Sequence, residues 1–306
     1  MESIFNLQQL VNGLQVGSIY ALIALGYTMV YGIVRLINFA HGDFFMVGAY
    51  AAYGAFYLFN AWLGSNMIAL APIMMVSAMG VAALLAIAAN KLAYKPLRYK
   101  PKLSSLITAI GVSMLIEYTF SAIPFIGPSY QSFPEIVPSG GEGAIRLFGV
   151  GLTPIFLIDT CVAVALMLSL TFLVKFTRIG KAMRAVSLDK DAAKLMGVNV
   201  EVVIMVTFLI GGAFAGAAGL LSGMTYPRIF PYMGINQGLK AFIAAVLGGI
   251  GNIPGAMLGA YIMGLSETFA SAFNSLLGEG IAFVILILVL LFRPQGLLGE
   301  KTADKI

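Results

Sequence analysis

The sequence predicts an all-α fold, a polytopic bundle of membrane helices with about eight to nine crossings once broken or re-entrant segments are included. Three observations carry that prediction. Apolar residues make up 60% of the chain and charged residues only 10%, with a mean hydropathy of +0.95, far outside the composition of soluble domains. The apolar residues gather into segments at 10–34, 44–62, 67–90, 103–124, 154–174, 202–222, 238–273 and 280–292, most of them long enough to span a bilayer. The 35 glycines suit closely packed membrane helices, where small residues let backbones approach. The whole of 1–306 reads as a single transmembrane domain.

Charge sets the sidedness of these elements. Loop 91–102 carries Lys91, Lys95, Arg98, Lys100 and Lys102 with no acid, and loop 175–201 carries six further basic residues. Most of the 18 Lys and Arg residues thus sit in two loops, the positive-inside pattern, and both loops are expected in the cytoplasm. Two spans separate them, so the Pro-, Gly- and Ser-rich stretch 125–153 is expected outside; its few charges, Glu135, Glu142 and Arg146, agree. No basic residue and no small-residue cleavage site accompany the first apolar stretch, which is expected to serve as an uncleaved insertion signal. The net charge of +5 comes from topology and does not indicate nucleic acid. Cys161 stands alone, which leaves no intrachain disulfide.

Parity constrains the C-terminal half. If Arg293, Lys301 and Lys305 lie inside, an even number of crossings follows residue 201. Segments 202–222 and 280–292 supply two, so 238–273 contributes two or none. That segment is too long for one straight helix, and Gly248-Gly249-Ile250-Gly251-Asn252-Ile253-Pro254-Gly255 interrupts it. It is expected as a broken helix or two short helices near the centre, since irregular backbone at membrane depth must be buried or line a cavity. Ile37-Asn38-Phe39-Ala40-His41-Gly42-Asp43 makes a similar break earlier. Met46-Val47-Gly48-Ala49-Tyr50 follows the first break and Met257-Leu258-Gly259-Ala260-Tyr261 the second, an echo that suggests an internal repeat.

Several chemistries are missing. There is no G-x-x-x-x-G-K-[ST] loop to cradle ATP phosphates. One histidine and one cysteine cannot build a conventional zinc site, and no Ser-His-Asp set stands out. No catalytic residue, metal or cofactor is expected. What remains is the basic loop KFTRIGKAMRAVSLDKDAAKLMGVNVE. Ser187 can cap a helix there, Asp189 and Asp191 complement the dipole of its first turn, and Gly197 suits the left-handed residue after its end. Ala192, Leu195 and Met196 would form one apolar side, fit to dock in a groove of another protein.

The Asp191-Ala192-Ala193-x-x-x-Gly197 core resembles the E-A-A-x-x-x-G coupling loop of ABC importer permeases, with aspartate in place of glutamate. The wider text is similar to the branched-chain amino-acid permease family. It includes INFAHGDFFMVGAYAAY (37–53), TRIGKAMRAVSLDKDAAKLMGVNVEVV (177–203), FLIGGAFAGAAGLLSG (208–223), GLKAFIAAVLGGIGNIPGAMLGAYIMG (238–264) and LFRPQGLLG (291–299). The length resembles the LivH-type subunit more than its longer LivM-type partner. The resemblance implies a multi-pass protein of the bacterial inner membrane, paired with a second, LivM-type permease subunit. It also implies two cytoplasmic ABC ATPases and a periplasmic or otherwise extracytoplasmic substrate-binding protein. Branched-chain amino acids would be the cargo, moved by alternating access, with ATP hydrolysed by the partners.

By the same resemblance Arg178, Gly180, Arg184, Asp191, Ala192, Ala193, Leu195 and Gly197 are the candidates for coupling to the ATPase. A zwitterion with an apolar side chain needs polar backbone at membrane depth beside apolar walls. Asn38, His41, Gly42, Gly249, Gly251, Asn252 and Gly255, at the two breaks, are the candidates for the path; close packing and capping of broken backbone is the other use for them. His41 fits either mid-membrane or the cytoplasmic interface. Glu117, Asp159 and Glu267 fall in apolar segments, where acids are costly. Three other readings stand beside this one: the same machinery importing urea, short amides or other amino acids, an ion-coupled secondary transporter, and a membrane enzyme. The docking loop argues against the second and the missing catalytic set against the third.

Overall fold

The computed structural model describes residues 7–35, 37–64, 67–98, 100–137, 145–147 and 150–299. Helices α1 (Leu7–Val34), α2 (His41–Leu63), α3 (Met67–Ala89), α4 (Lys102–Ala122) and α5 (Pro154–Phe176) precede the basic loop. Two short helices, α6 (Arg178–Leu188) and α7 (Lys190–Leu195), form within it. Then come α8 (Val200–Thr225), α9 (Met233–Gly248), α10 (Ile253–Phe273) and α11 (Ser275–Phe292). A π turn at Asn90–Tyr94 and a 3-10 turn at Lys95–Leu97 continue α3 into the first basic loop. Seven stretches among the described residues are long and apolar enough to cross a membrane, and the α9–α10 hairpin adds to them.

Side-chain caps decide where the helices start. Thr153 accepts from the Phe156 N–H at the head of α5, with Pro154 in the first turn, where no backbone donor is needed. Asn199, Asn252 and Asn274 cap α8, α10 and α11 in the same way. Each cap stands at the boundary between two elements, so the apolar runs are divided where a donor can be satisfied.

Contacts at the two ends of α1 fix its direction. Gln8 exchanges two hydrogen bonds with the Gly151 backbone (3.0 and 3.2 Å), which ties the start of α1 to the expected outer stretch. At the other end Lys190 donates to the Val34 carbonyl (3.0 Å) and Arg35 donates to the Ser187 carbonyl (3.1 Å), so α1 ends on the side of the basic loops. Antiparallel pairing carries the alternation onward. Residues 138–144, 148 and 149 of the outer stretch 125–153, Glu142 among them, and Lys301 and Lys305 of the tail lie outside the described residues. Two small antiparallel pairings mark the outer side. One joins β1 (Gln131–Ser132) to β4 (Arg228–Ile229), the other β2 (Ile145–Leu147) to β3 (Val150–Leu152).

At the core α1 is buried through most of its length and packs against α8 and α10, while α4, α5 and α11 leave most of their surface uncovered. Small residues make the close packing. Gly216 on α8 meets the backbone of Ala78 on α3 and of Gly48 on α2, and a methyl group at Gly212 would lie 2.7 Å from the Ala82 carbonyl oxygen. This is the small-residue packing expected between membrane helices, where lipid supplies no hydrophobic drive for association.

Segment 238–273 is a hairpin, with one correction to its expected place. The turn Gly249–Asn252 brings Gly251 within van der Waals reach of Gly32, within one turn of the basic-loop end of α1, and not to the centre. The C-terminal stretch 293–299 closes over it: Leu297 and Leu298 N–H groups donate to the Leu247 and Gly248 carbonyls (2.8 and 3.0 Å), satisfying the end of α9. The first break does reach membrane depth. His41 rests against Gly26 and Gly211, and Gly211 lies 11 residues past the start of α8, roughly 16 Å along the helix. The chain therefore turns back into the bundle after α1 and starts α2 inside it.

Candidate functional site

The basic loop builds two helices where one capped helix was expected. Thr177 caps α6, accepting from Gly180 N–H (3.1 Å). Gly180 is needed there because a side chain would run into the Leu173 and Val174 carbonyls. Arg184 reaches back to the Val174 carbonyl and closes the α5–α6 corner, while Arg178 is exposed in the first turn. Ser187 does not cap: its hydroxyl donates to the Arg184 carbonyl (2.7 Å) inside α6. Asp189 takes that role, its carboxylate accepting from the Asp191 and Ala192 N–H groups (2.9 and 3.0 Å). The carboxylate is nearer the new helix start and binds two donors at once.

Helix α7 ends in a Schellman motif. Gly197 (φ +82°) donates to Lys194, and Val198 to Ala193. Ala193 faces inward with Met183 and Val186, packing on a cluster from α1, α5 and α8 that includes Ile33, Leu170 and Val203. The opposite side carries Asp191, Ala192, Leu195 and Met196, with Leu195 and Met196 88% and 84% exposed. A large apolar tip held this rigidly in water, on a helix anchored from beneath, has the form of a docking knob.

Charges surround the anchor. Lys95 (3.2 Å) and Arg98 both pair with Glu201 at the start of α8. Burial first, then the Arg98 and Arg35 charges, hold the Lys190 ammonium below its ordinary pKa; Asp191 opposes them. Arg98, Lys190, Asp191, Lys194 and Glu201 border a cavity of about 500 Å³ beside α7.

The path candidates fall into two separate groups. At the first break Asn38 accepts from the Tyr94 hydroxyl (2.6 Å), and both are buried. The His41 ring lies 4.6 Å from Tyr27 and 5.9 Å from Phe44, and neither of its ring nitrogens closes a hydrogen bond among the described residues. Gly42 touches the backbones of Gly234 and Gly238. At the second break Asn252 caps α10 through Gly255 N–H (3.0 Å) and donates to the Leu298 carbonyl (2.8 Å). Gly249 packs on the tail at Gly296 and Gly299, and Gly251 takes a positive φ of +99°. His41 is thus deep in the bundle and Asn252 at its basic-loop end; the fold does not bring the two breaks into one site.

Polar clusters beyond these were not read from the sequence as units. Lys240 pairs with Glu267 (2.6 Å), whose other oxygen accepts from Tyr20 (2.7 Å) at the middle of α1. Asp159 accepts from Gln15 (2.9 Å) and Thr225 (2.8 Å) and is fully buried. Ser113 donates to Glu117 on α4 (3.4 Å). Just past α8, burial, then the Glu267 and Asp159 carboxylates, push the Tyr226 phenol up to about 12, so it stays a proton donor at neutral pH. Lys240 was the available signal: a basic residue inside an apolar segment, which an antiparallel turn at 249–252 places opposite α10.

Comparison with known proteins meets this geometry. Residues 9–290 match the family model described as branched-chain amino acid transport system / permease component. The chain is 42% identical to the high-affinity branched-chain amino acid transport system permease protein BraD of Pseudomonas aeruginosa, over 98% of both chains. It is 39% identical to the corresponding permease protein LivH of Escherichia coli K12, over 99% of this chain and 98% of that one. A solved ABC transporter assigned to the metal-chelate type, in an inward-facing conformation, shares the fold at a TM-score of 0.50 and 17% identity, covering 92% of this chain and 85% of that one. The chain is a multi-pass membrane protein and belongs to the branched-chain amino acid transport system permease family.

Proposed function

We propose that this chain is a permease subunit of an ATP-binding-cassette importer for the branched-chain amino acids leucine, isoleucine and valine. It would form half of the translocation path in a bacterial inner membrane. The observation that carries the reading is the near full-length likeness to BraD and LivH, joined to a rigid, exposed α7 knob on the basic side. A second permease subunit of LivM type completes the path. Two cytoplasmic ATPases receive α6 and α7, and an extracytoplasmic binding protein delivers the cargo. Closure of the ATPases on ATP pushes the coupling helices, and their anchorage on α1, α5 and α8 passes that motion into the bundle. Alternating access follows from switching between two packings of that bundle. No step needs catalysis by this chain.

The decisive experiment purifies the chain with its partner subunits, reconstitutes them in liposomes and measures leucine uptake against ATP hydrolysis. Uptake that needs ATP, the binding protein and an intact α7 supports the reading. Leucine uptake by this chain alone, independent of ATP, refutes it. Uptake of urea or short amides in place of leucine would keep the machine and change its cargo.

A further inference from the structure

The geometry points to a binding site for the amino-acid zwitterion itself, in a cavity between the middle of α1 and the outer end of α8, with Glu267 as the ammonium receptor. This rests on the importer reading above and names where the cargo is held within this chain. The cavity measures about 240 Å³, below the ~300–1,000 Å³ of sites for drug-sized ligands and suited to a molecule of about nine non-hydrogen atoms. Its walls come from α1, α8, α9 and α10, four helices that meet at the core.

The lining has the three chemistries that a leucine-like zwitterion needs. Glu267 is the anionic wall. Its carboxylate accepts from Lys240 and Tyr20, one bond on each oxygen, and about two of its acceptor positions remain for an incoming ammonium. Ser222, Gln237 and Tyr226 bring hydroxyl and amide donors for the substrate carboxylate. Val16 and Ile19 make the apolar wall for the side chain. Lys240 sits 2.6 Å from Glu267, so the empty site is neutral, and a zwitterion enters without changing its net charge.

A purely structural use of the pair explains less. An ion pair between packed membrane helices is costly, and locking α9 to α10 would be served better by apolar contact. Such a lock also needs no opening. Here Lys240 and Glu267 keep 15% and 18% of their side-chain surface accessible, and Glu267 borders the cavity. The path candidates at the two breaks do not line this cavity: His41 is surrounded by rings, and Asn252 is tied to the C-terminal stretch.

Two tests use the complete importer. In liposomes, Glu267→Gln removes the anionic wall, and Ile19→Trp fills the cavity while keeping every charge. Each is expected to lower leucine uptake at least tenfold while ATP hydrolysis stimulated by the binding protein stays within twofold. Uptake within twofold of the parent in both variants overturns the site. Where uptake and hydrolysis fall together, a second measurement decides. Ser222→Cys, in a Cys161→Ser background, is alkylated by a maleimide in detergent without ATP or binding protein. Leucine at millimolar concentration is expected to slow alkylation of this chain at least threefold, and 4-methylpentanoate, which lacks the ammonium, to leave it unchanged. Equal rates with and without leucine overturn the site. Because this readout needs no ATP, it judges the site separately from the importer reading, which fails instead when the parent complex shows no ATP-dependent leucine uptake.

Discussion

Replacing Leu195 and Met196 together by alanine should detach the ATPase while leaving the permease folded. The two side chains are 88% and 84% exposed, so their removal costs the isolated chain almost nothing. Each substitution deletes about three heavy atoms, worth roughly 0.8 kcal/mol apiece when fully buried, or about 5 kcal/mol for the pair. A helix tip resting in a groove buries about half of that surface. The expected loss is therefore about 2.5 kcal/mol of docking energy, roughly a 60-fold weaker interaction. The assay titrates purified ATPase against detergent-solubilised permease pairs and reads the bound fraction, with thermal stability of the permease as the control. An affinity within twofold of the parent would refute the argument, because the knob would then be solvated in the complex too. A large drop in thermal stability would also refute it, since the structure places neither side chain in a packed core.

Three further outcomes follow from the same contacts. Gly197→Ala puts a Cβ on a residue at φ +82°, costing about 1–2 kcal/mol; with nothing crowding that position, the effect should be a loosened α7 seen as fewer leucines moved per ATP, and unchanged coupling would contradict it. Lys190 has a depressed pKa in the fold, so the unfolded chain binds its proton more tightly and stability rises with pH below the ordinary value of 10.5. Thermal melts should show that rise in the parent and a flatter slope in Lys190→Met. Gly216→Leu drives a side chain into the Ala78 backbone and should abolish a monodisperse complex on size exclusion, whereas a normal elution profile would mean that α3 and α8 separate readily.

Much of the fold was legible because membrane helices obey few rules. The apolar runs, the basic loops and parity were enough to place the helices and to leave 238–273 with two passes or none; the hairpin of α9 and α10 makes it two. Depth was less legible. Both breaks carry glycine and asparagine, and the sequence left His41 open between mid-membrane and the cytoplasmic interface while putting the second break near the centre; in the fold His41 lies beside Gly211 deep in the bundle and Gly251 beside Gly32 near its end. What separates them is the partner each break meets. The first is sealed by rings and by Tyr94, and the second by the returning C-terminal stretch, a contact that local sequence does not encode. The cap of α7 shows a smaller version of the same limit. Ser187 and Asp189 are both good capping residues, and the choice fell to the one whose carboxylate reaches two N–H groups at once.

The proposed sites divide along the same line. The coupling helix is local: its cap, knob and terminal glycine lie within nine residues, and each has a sequence signal with a physical cause. The zwitterion cavity is not local. Tyr20, Ser222, Lys240 and Glu267 come from four helices, and only the antiparallel hairpin at 249–252 sets the last two face to face. A charged residue in an apolar segment says that a partner or water must exist somewhere; it does not say which helix supplies it. Taken singly, Glu267 fits an interfacial acid and Lys240 a topological charge. Placed together beside an apolar wall, they make a neutral, polar opening between the middle of α1 and the outer end of α8, where cargo handed over from outside can be held while one side closes and the other opens.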